Sequence, residues 1–249
     1  MKTSVKSIVK SIIDVNMKSL GFKCKDNIYY RLINGVLQGI KIYSIGMQYT
    51  IRFGCYPLCG GMEKNPGVFE SHGITDILPQ SREEFFNIIP WGANVTEEMQ
   101  IEAWENRETK YVEIANQLVD ELNRYLIPQL LEITSPEDAF EFEKKCHISR
   151  IMHGHKMNLE EAENVYNQHY TAINYNWHLQ MKNYEEAKLC MQKRIEELKE
   201  YSRQNNIELD NSFLEIPYGY LVEGNHDAIE KYIEEKENIT LKSFSLKRQ

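Results

Sequence analysis

The stretch that decides the fold is residues 21–43, GFKCKDNIYYRLINGVLQGIKIY. A Tyr- and Ile-rich run, an Asn34-Gly35 pair and a second aliphatic run read as a β-hairpin. Two registers are open to it. A two-residue type I′ turn pairs Ile33 with Val36 and sets Arg31 on the same face as Gln38, Ile40 and Ile42. A three-residue loop ending in a left-handed glycine pairs Leu32 with Val36. That second register gathers Ile28, Leu32, Val36, Ile40 and Ile42 on one face and leaves Arg31 and Lys41 on the other. A one-residue slip exchanges core and solvent faces, so the cleaner separation of apolar from charged residues favours the three-residue loop. Tyr30 and Gln38 are then buried and need hydrogen-bond partners.

Upstream, Val5, Ile8, Val9 and Ile12 recur at helical spacing, which predicts a helix over residues 4–20 stopped by Gly21. Downstream, YTIRFGCY predicts a third strand with Tyr49, Ile51, Phe53 and Cys55 on one face. Residues 57–80 are Gly- and Pro-rich and read as a long loop with one short strand. Helices follow, each with a start signal. Ser81 with Glu84 has capping-box spacing, and Asn94 or Thr96 opens a long helix to about Leu126, with Pro128 beyond. Ser135-Pro136-Glu137-Asp138, Asn158 with Glu161 and Asn183 with Glu186 mark further starts. The expected fold is α+β: an N-terminal helix, an antiparallel sheet and packed helices over 1–133, then an all-helical domain over 134–249. NLEEA (158–162), NYEEA (183–187) and GNHDA (224–228) give the C-terminal helices a weak likeness to tetratricopeptide repeats. Their uneven spacing argues against a regular array.

Of 249 residues, 42% are hydrophobic and 27% charged, which suits a globular chain. No apolar run approaches the roughly 18 residues that span a bilayer. Five cysteines, an odd and scattered number, suit a reducing compartment, and the expected location is the cytoplasm. The net charge of −8 is unevenly spread: residues 1–60 carry nine Lys/Arg against two Asp. A basic head on an acidic body either packs against that body or faces an acidic partner.

The N-terminal order of Leu20-Gly21-Phe22, a Tyr-Tyr-Arg strand, Asn34-Gly35, a strand with Gln38 and a strand ending Arg52-Phe53-Gly54 resembles the bacterial family known as domain of unknown function 4304. The run around Trp104 and the Ile127-Pro128 step are similar in order to that family's end. The resemblance covers roughly residues 1–145. It implies an α+β domain and supplies no catalytic residues.

Cys55-x-x-x-Cys59, Cys146-His147 and His153-x-His155 offer metal-ligand types, but the spacing fits no compact zinc module and no metal is expected. Neither a nucleophile elbow nor a phosphate-binding glycine loop occurs, and no cofactor is expected. The acidic pairs Glu83-Glu84, Glu97-Glu98, Glu160-Glu161 and Glu185-Glu186 all fall in first turns, where helix dipoles favour them. The candidate binding residues are Tyr29, Arg31, Lys41, Tyr43, Arg52 and Tyr56, a basic and aromatic set that the preferred register puts on one sheet face. Such a face grips an acidic protein surface or stacks and neutralises nucleic acid. A sequence pI of about 5.5 weighs against nucleic acid. The expectation is a bacterial, non-enzymatic protein-binding protein with an immunity- or defence-like role. The alternative is an enzyme acting on nucleic acid or another acidic substrate through the same face.

Overall fold

The computed structural model describes residues 5–25, 28–45, 47–61, 72–77, 86–90 and 93–247. The chain is α+β. Helix α1 (Val5–Ser19) leads into strands β1 (Lys23–Lys25), β2 (Ile28–Ile33), β3 (Val36–Ile45) and β4 (Gln48–Pro57), followed by short strands β5 (His72–Gly73) and β6 (Phe86–Asn87). The sheet is antiparallel in its described ladders and runs β1-β2-β3-β4-β5, with β6 also paired to β4. Helices α2 (Glu97–Glu105), α3 (Arg107–Glu121), α4 (Ile127–Glu132), α5 (Pro136–His155), α6 (Leu159–His169), α7 (Tyr175–Gln180), α8 (Tyr184–Asn205), α9 (Ser212–Val222) and α10 (His226–Ser243) complete it. Among the described residues no helix is long and apolar enough to cross a membrane.

Two compact units result. The first comprises Met1–Arg31, Leu37–Cys55 and Pro66–Ile133; the second comprises Leu32–Val36, Tyr56–Asn65 and Thr134–Gln249. A division at 133/134 alone takes no account of the hairpin tip and the segment after β4, which group with the C-terminal helices.

In the first unit α1 packs on α3. Val9, Ile13 and Met17, four residues apart and buried, form the α1 stripe, and Ile114, Ala115 and Leu118 form that of α3. Burying each large aliphatic stabilises the unit by about 1.5–3 kcal/mol. Gly21 stops α1 at φ +80°, where Phe22 N–H reaches back to the Met17 carbonyl.

The hairpin register differs from the expected one. Strand β2 ends at Ile33 and β3 starts at Val36, so only Asn34 and Gly35 lie between them, at φ +44° and +81°. Positive φ at both central residues is the type I′ turn, whose twist matches that of the strands. The Arg31 side chain accordingly meets Gln38, with Nε donating to Oε1 at 2.7 Å. Apolar alternation misled because both faces of β2 are buried: Tyr29 is 2% exposed and Tyr30 4%. Where neither face meets water, side-chain polarity carries little register information and turn chemistry decides.

The long helix expected from Thr96 to Leu126 is broken. Thr96 caps α2 by accepting from Met99 N–H, but the Asn106 side chain competes for the Glu102 carbonyl and interrupts the helix there. Pro128 does not end the run. A π-turn over Leu122–Leu126 re-routes the hydrogen bonds ahead of it, so α4 begins with the proline in its first turn. The Ser81/Glu84 start lies outside the described residues.

In the second unit, Ser135 with Asp138 and Asn158 with Glu161 both form the reciprocal capping box, while the Asn183 side chain makes no cap. Helix α5 runs through Gly154 to His155 and stops at left-handed Lys156. Ile148, Ile151, Ala162 and Tyr166 seal α5 against α6, and Leu179, Met191, Leu214, Leu221 and Ile229 form the core of α7–α10. The hairpin tip is tied into this unit. Asn34 donates to the Thr134 carbonyl at 2.7 Å, and Leu32 clusters with Leu58 and Leu241.

Candidate binding surface

The register decides what becomes of the six candidate binding residues. Strand alternation puts Tyr29 and Arg31 on the face of Gln38 and Ile40. Tyr49 packs edge-on against Tyr111 of α3 and its hydroxyl bonds Ser44, so α3 covers this face. Lys41 and Tyr43, an odd number of residues from Gln38 and Ser44, project from the opposite face. Arg52, offset from Tyr49 in the same way, joins them. The single basic and aromatic face expected from the sequence therefore divides in two.

On the helix-covered face Tyr29 and Arg31 are used internally. The Tyr29 hydroxyl donates to Asp14 at 2.7 Å; burial and that bond push the phenol well above its ordinary pKa. The half-buried Arg31 guanidinium lies 4.8 Å from the Phe22 ring centroid, and its Nη2 donates to the Leu130 carbonyl at 3.0 Å. Buried Gln38 donates to the same carbonyl from Nε2. Leu130 O is one of the last carbonyls of α4, which lack partners within the helix, so Arg31 and Gln38 serve as its C-terminal cap. Burial lowers the Arg31 pKa without removing its charge. Tyr56, counted with the second unit, donates to the Gly60 carbonyl, and burial pushes its hydroxyl up to about 12. On the opposite face the Lys41 ammonium lies 4.0 Å from the Tyr43 ring centroid and bonds its hydroxyl; Arg52 is half-buried.

The metal-ligand types are placed as follows. Cys55, Cys59 and Cys146 are buried, and the Cys59 thiol donates to the Asn176 carbonyl at 3.1 Å. His153 and His155 are exposed in the last turn of α5. A cleft of about 520 Å³ beside α10 has a charged lining, but Lys182 and Tyr184 both bond Glu230 and Gln180 bonds Glu237. Those groups satisfy one another.

A different surface on α2 and α3 carries exposed apolar area. Ile101 is 51% exposed, Trp104 51% and Val112 39%. Asn106 leaves helical geometry at φ −92° and ψ 16°, so α2 and α3 have separate phases. Residues 101 and 104 share one side of α2, and residues 108 and 112 share one side of α3. The Arg107 guanidinium carbon stands 5.0 Å from the Trp104 ring centroid, and its Nη1 donates to the Trp104 carbonyl. This pins an arginine and a tryptophan together at the surface. Exposed Glu97, Glu105 and Glu108 flank the strip. On the other side of the same helices, Met99, Ala103 and Lys110 line a groove of about 300 Å³ with Ile88 and Pro90.

No local signal in the sequence separates Trp104 from the core. It precedes buried Tyr111 by seven residues, two helical turns, and an unbroken helix would bury both. The chain matches no family model, no curated protein and no solved structure.

Proposed function

We propose that this protein is a non-enzymatic binding protein of the bacterial cytoplasm whose α2–α3 strip docks a protein partner. The observation that carries the reading is the half-exposed Trp104 held beneath Arg107, with Ile101 exposed on the same side of α2 and Val112 exposed on α3. Trp and Arg are the residues in which binding energy concentrates at protein interfaces, and a rigid aromatic anchor loses little side-chain freedom on docking. The partner is one that offers apolar side chains ringed by Lys or Arg, because Glu97, Glu105 and Glu108 border the strip. This replaces the acidic partner that a continuous basic sheet face would have called for. An immunity- or defence-like role is the finer part of the proposal and rests on which partner binds.

The test is a photo-cross-linker at position 104 in the full chain, introduced in the native host. A partner cross-linked from position 104 and lost when Arg107 and Val112 are replaced by glutamate supports the docking strip. A partner that cross-links only from positions 41 or 52 returns the binding to the sheet.

A further inference from the structure

The groove that α2 and α3 form with β6 holds a buried acceptor and a carboxylate that the docking strip does not use. Strand β6 builds one wall. Asn87 stands opposite Gln48 of β4, and Ile88 N–H donates to the Met47 carbonyl at 2.9 Å, which fixes the backbone of that wall. Ile88 and Ala103, 1% and 6% exposed, give the groove an apolar floor. Met99 stands half-exposed at its rim, an unbranched side chain that adapts to what lies against it. A volume of about 300 Å³ is at the lower end of the range for ligand sites and suits a single side chain.

Two acceptors meet this groove. Asn87 lines it, and its side-chain Oδ1 is closed to water and accepts no hydrogen bond from any described residue. A buried acceptor in that state is unfavourable, so the carboxamide gains by turning to a donor that enters. Glu102 lines the groove as well, from the exposed side. The cations of α2 and α3 are directed elsewhere: the Lys110 ammonium lies 2.7 Å from Glu113, and Arg107 donates to the Trp104 carbonyl. Residues 97–110 carry five glutamates against those two cations, so the surroundings favour positive charge. An apolar floor with a neutral acceptor and a carboxylate fits a long aliphatic stem that ends in a cationic head with several donors. The guanidinium, planar and weakly hydrated, serves two acceptors at once, whereas an ammonium is a strongly hydrated point charge.

We propose that this groove receives one arginine side chain of the docked protein. The stem lies over Ile88 and Ala103, and the guanidinium donates to Asn87 Oδ1 and to the Glu102 carboxylate. The inference rests on the reading of α2 and α3 as the docking surface and makes it more specific: one cation bordering the partner's apolar side chains is an arginine.

The experiment titrates the ¹⁵N-labelled full chain with N-acetyl-arginine methylamide, at millimolar concentrations, neutral pH and low salt, and follows backbone amide shifts by NMR. The citrulline analogue, neutral and of the same shape, and the lysine analogue are the comparison probes. Saturable shifts centred on Asn87, Ile88 and Ala103 are expected with the arginine probe, with binding at least about threefold weaker for lysine and about tenfold weaker for citrulline. Glu102→Gln, a change at an exposed position, weakens the arginine probe about threefold, and Asn87→Ala weakens it about threefold to tenfold. The spectrum of each variant establishes that it is folded, and Glu102→Gln carries the comparison if Asn87→Ala is not. No saturable shift in the groove, equal binding of the citrulline or lysine probe, or full affinity in Glu102→Gln would each overturn the assignment. A partner cross-linked from position 104 alongside any of those results removes the arginine site and leaves the docking strip. Arginine binding in the groove without such a cross-link upholds the site and removes the strip.

Discussion

Replacing Arg31 tests the hairpin register through energetics. Its Nε bonds Gln38 Oε1 at 2.7 Å and its Nη2 bonds Leu130 O at 3.0 Å. Arg31→Met leaves Leu130 O with its second donor, Gln38 Nε2. It removes the arginine from Oε1 of a fully buried glutamine, and an orphaned buried acceptor costs about 1–3 kcal/mol. Losing the guanidinium over Phe22 adds about 0.5–1 kcal/mol, and releasing a half-buried charge from its desolvation offsets part of the total. The expected loss is therefore about 2 kcal/mol. Arg31→Lys keeps a cation with one reachable acceptor and loses about 1 kcal/mol. Arg31→Glu sets a carboxylate against two acceptors and loses about 3–5 kcal/mol. Urea unfolding followed by circular dichroism reads these as falls in midpoint at constant slope. An Arg31→Glu protein within about 0.5 kcal/mol of wild type would refute the reasoning. Such tolerance belongs to an arginine facing solvent, as in the three-residue-loop register.

Two further predictions concern the turn and the Asp14 cluster. Gly35→Ala places a Cβ 2.8 Å from Gln180 Nε2 at φ +81°, and a left-handed alanine alone costs about 1–2 kcal/mol; a thermal melt should show a clear loss, and an unchanged melt would contradict the turn. Burial would raise the Asp14 pKa, but hydrogen bonds from Tyr29 and Lys10 hold it below its ordinary value. Its contribution to stability is present above the unfolded carboxylate pKa and is lost as pH falls through the folded one. The urea midpoint should thus fall on acidification below about pH 4, and less steeply in Asp14→Asn. Equal slopes for the two proteins would remove Asp14 from the account.

What the sequence made legible was local chemistry. Gly21 ends α1, Ser135 with Asp138 and Asn158 with Glu161 form their boxes, and Thr96 caps α2, because each needs only residues within one helical turn. Asn34-Gly35 belongs with them: turn preference alone points to the type I′ register. The face argument overrode it by assuming one wet face, whereas Tyr29 and Tyr30 are both buried. Helix continuity was less legible. Asn106 breaks a run that contains no Gly or Pro, and a π-turn carries the chain past a proline that normally stops one. The docking strip was hidden for the same reason. An exposed Trp104 and a buried Tyr111 differ in tertiary surroundings, not in sequence spacing.

The most direct measurement of the docking strip is the affinity of the cross-linked partner for purified wild-type protein, for Trp104→Ala and for the sheet variant Lys41→Glu/Arg52→Glu, by calorimetry. The account predicts that Trp104→Ala weakens binding by at least about 2 kcal/mol, roughly thirtyfold, with little change in melting temperature, and that the sheet variant binds within about threefold of wild type. Full affinity in Trp104→Ala alongside loss in the sheet variant would contradict it.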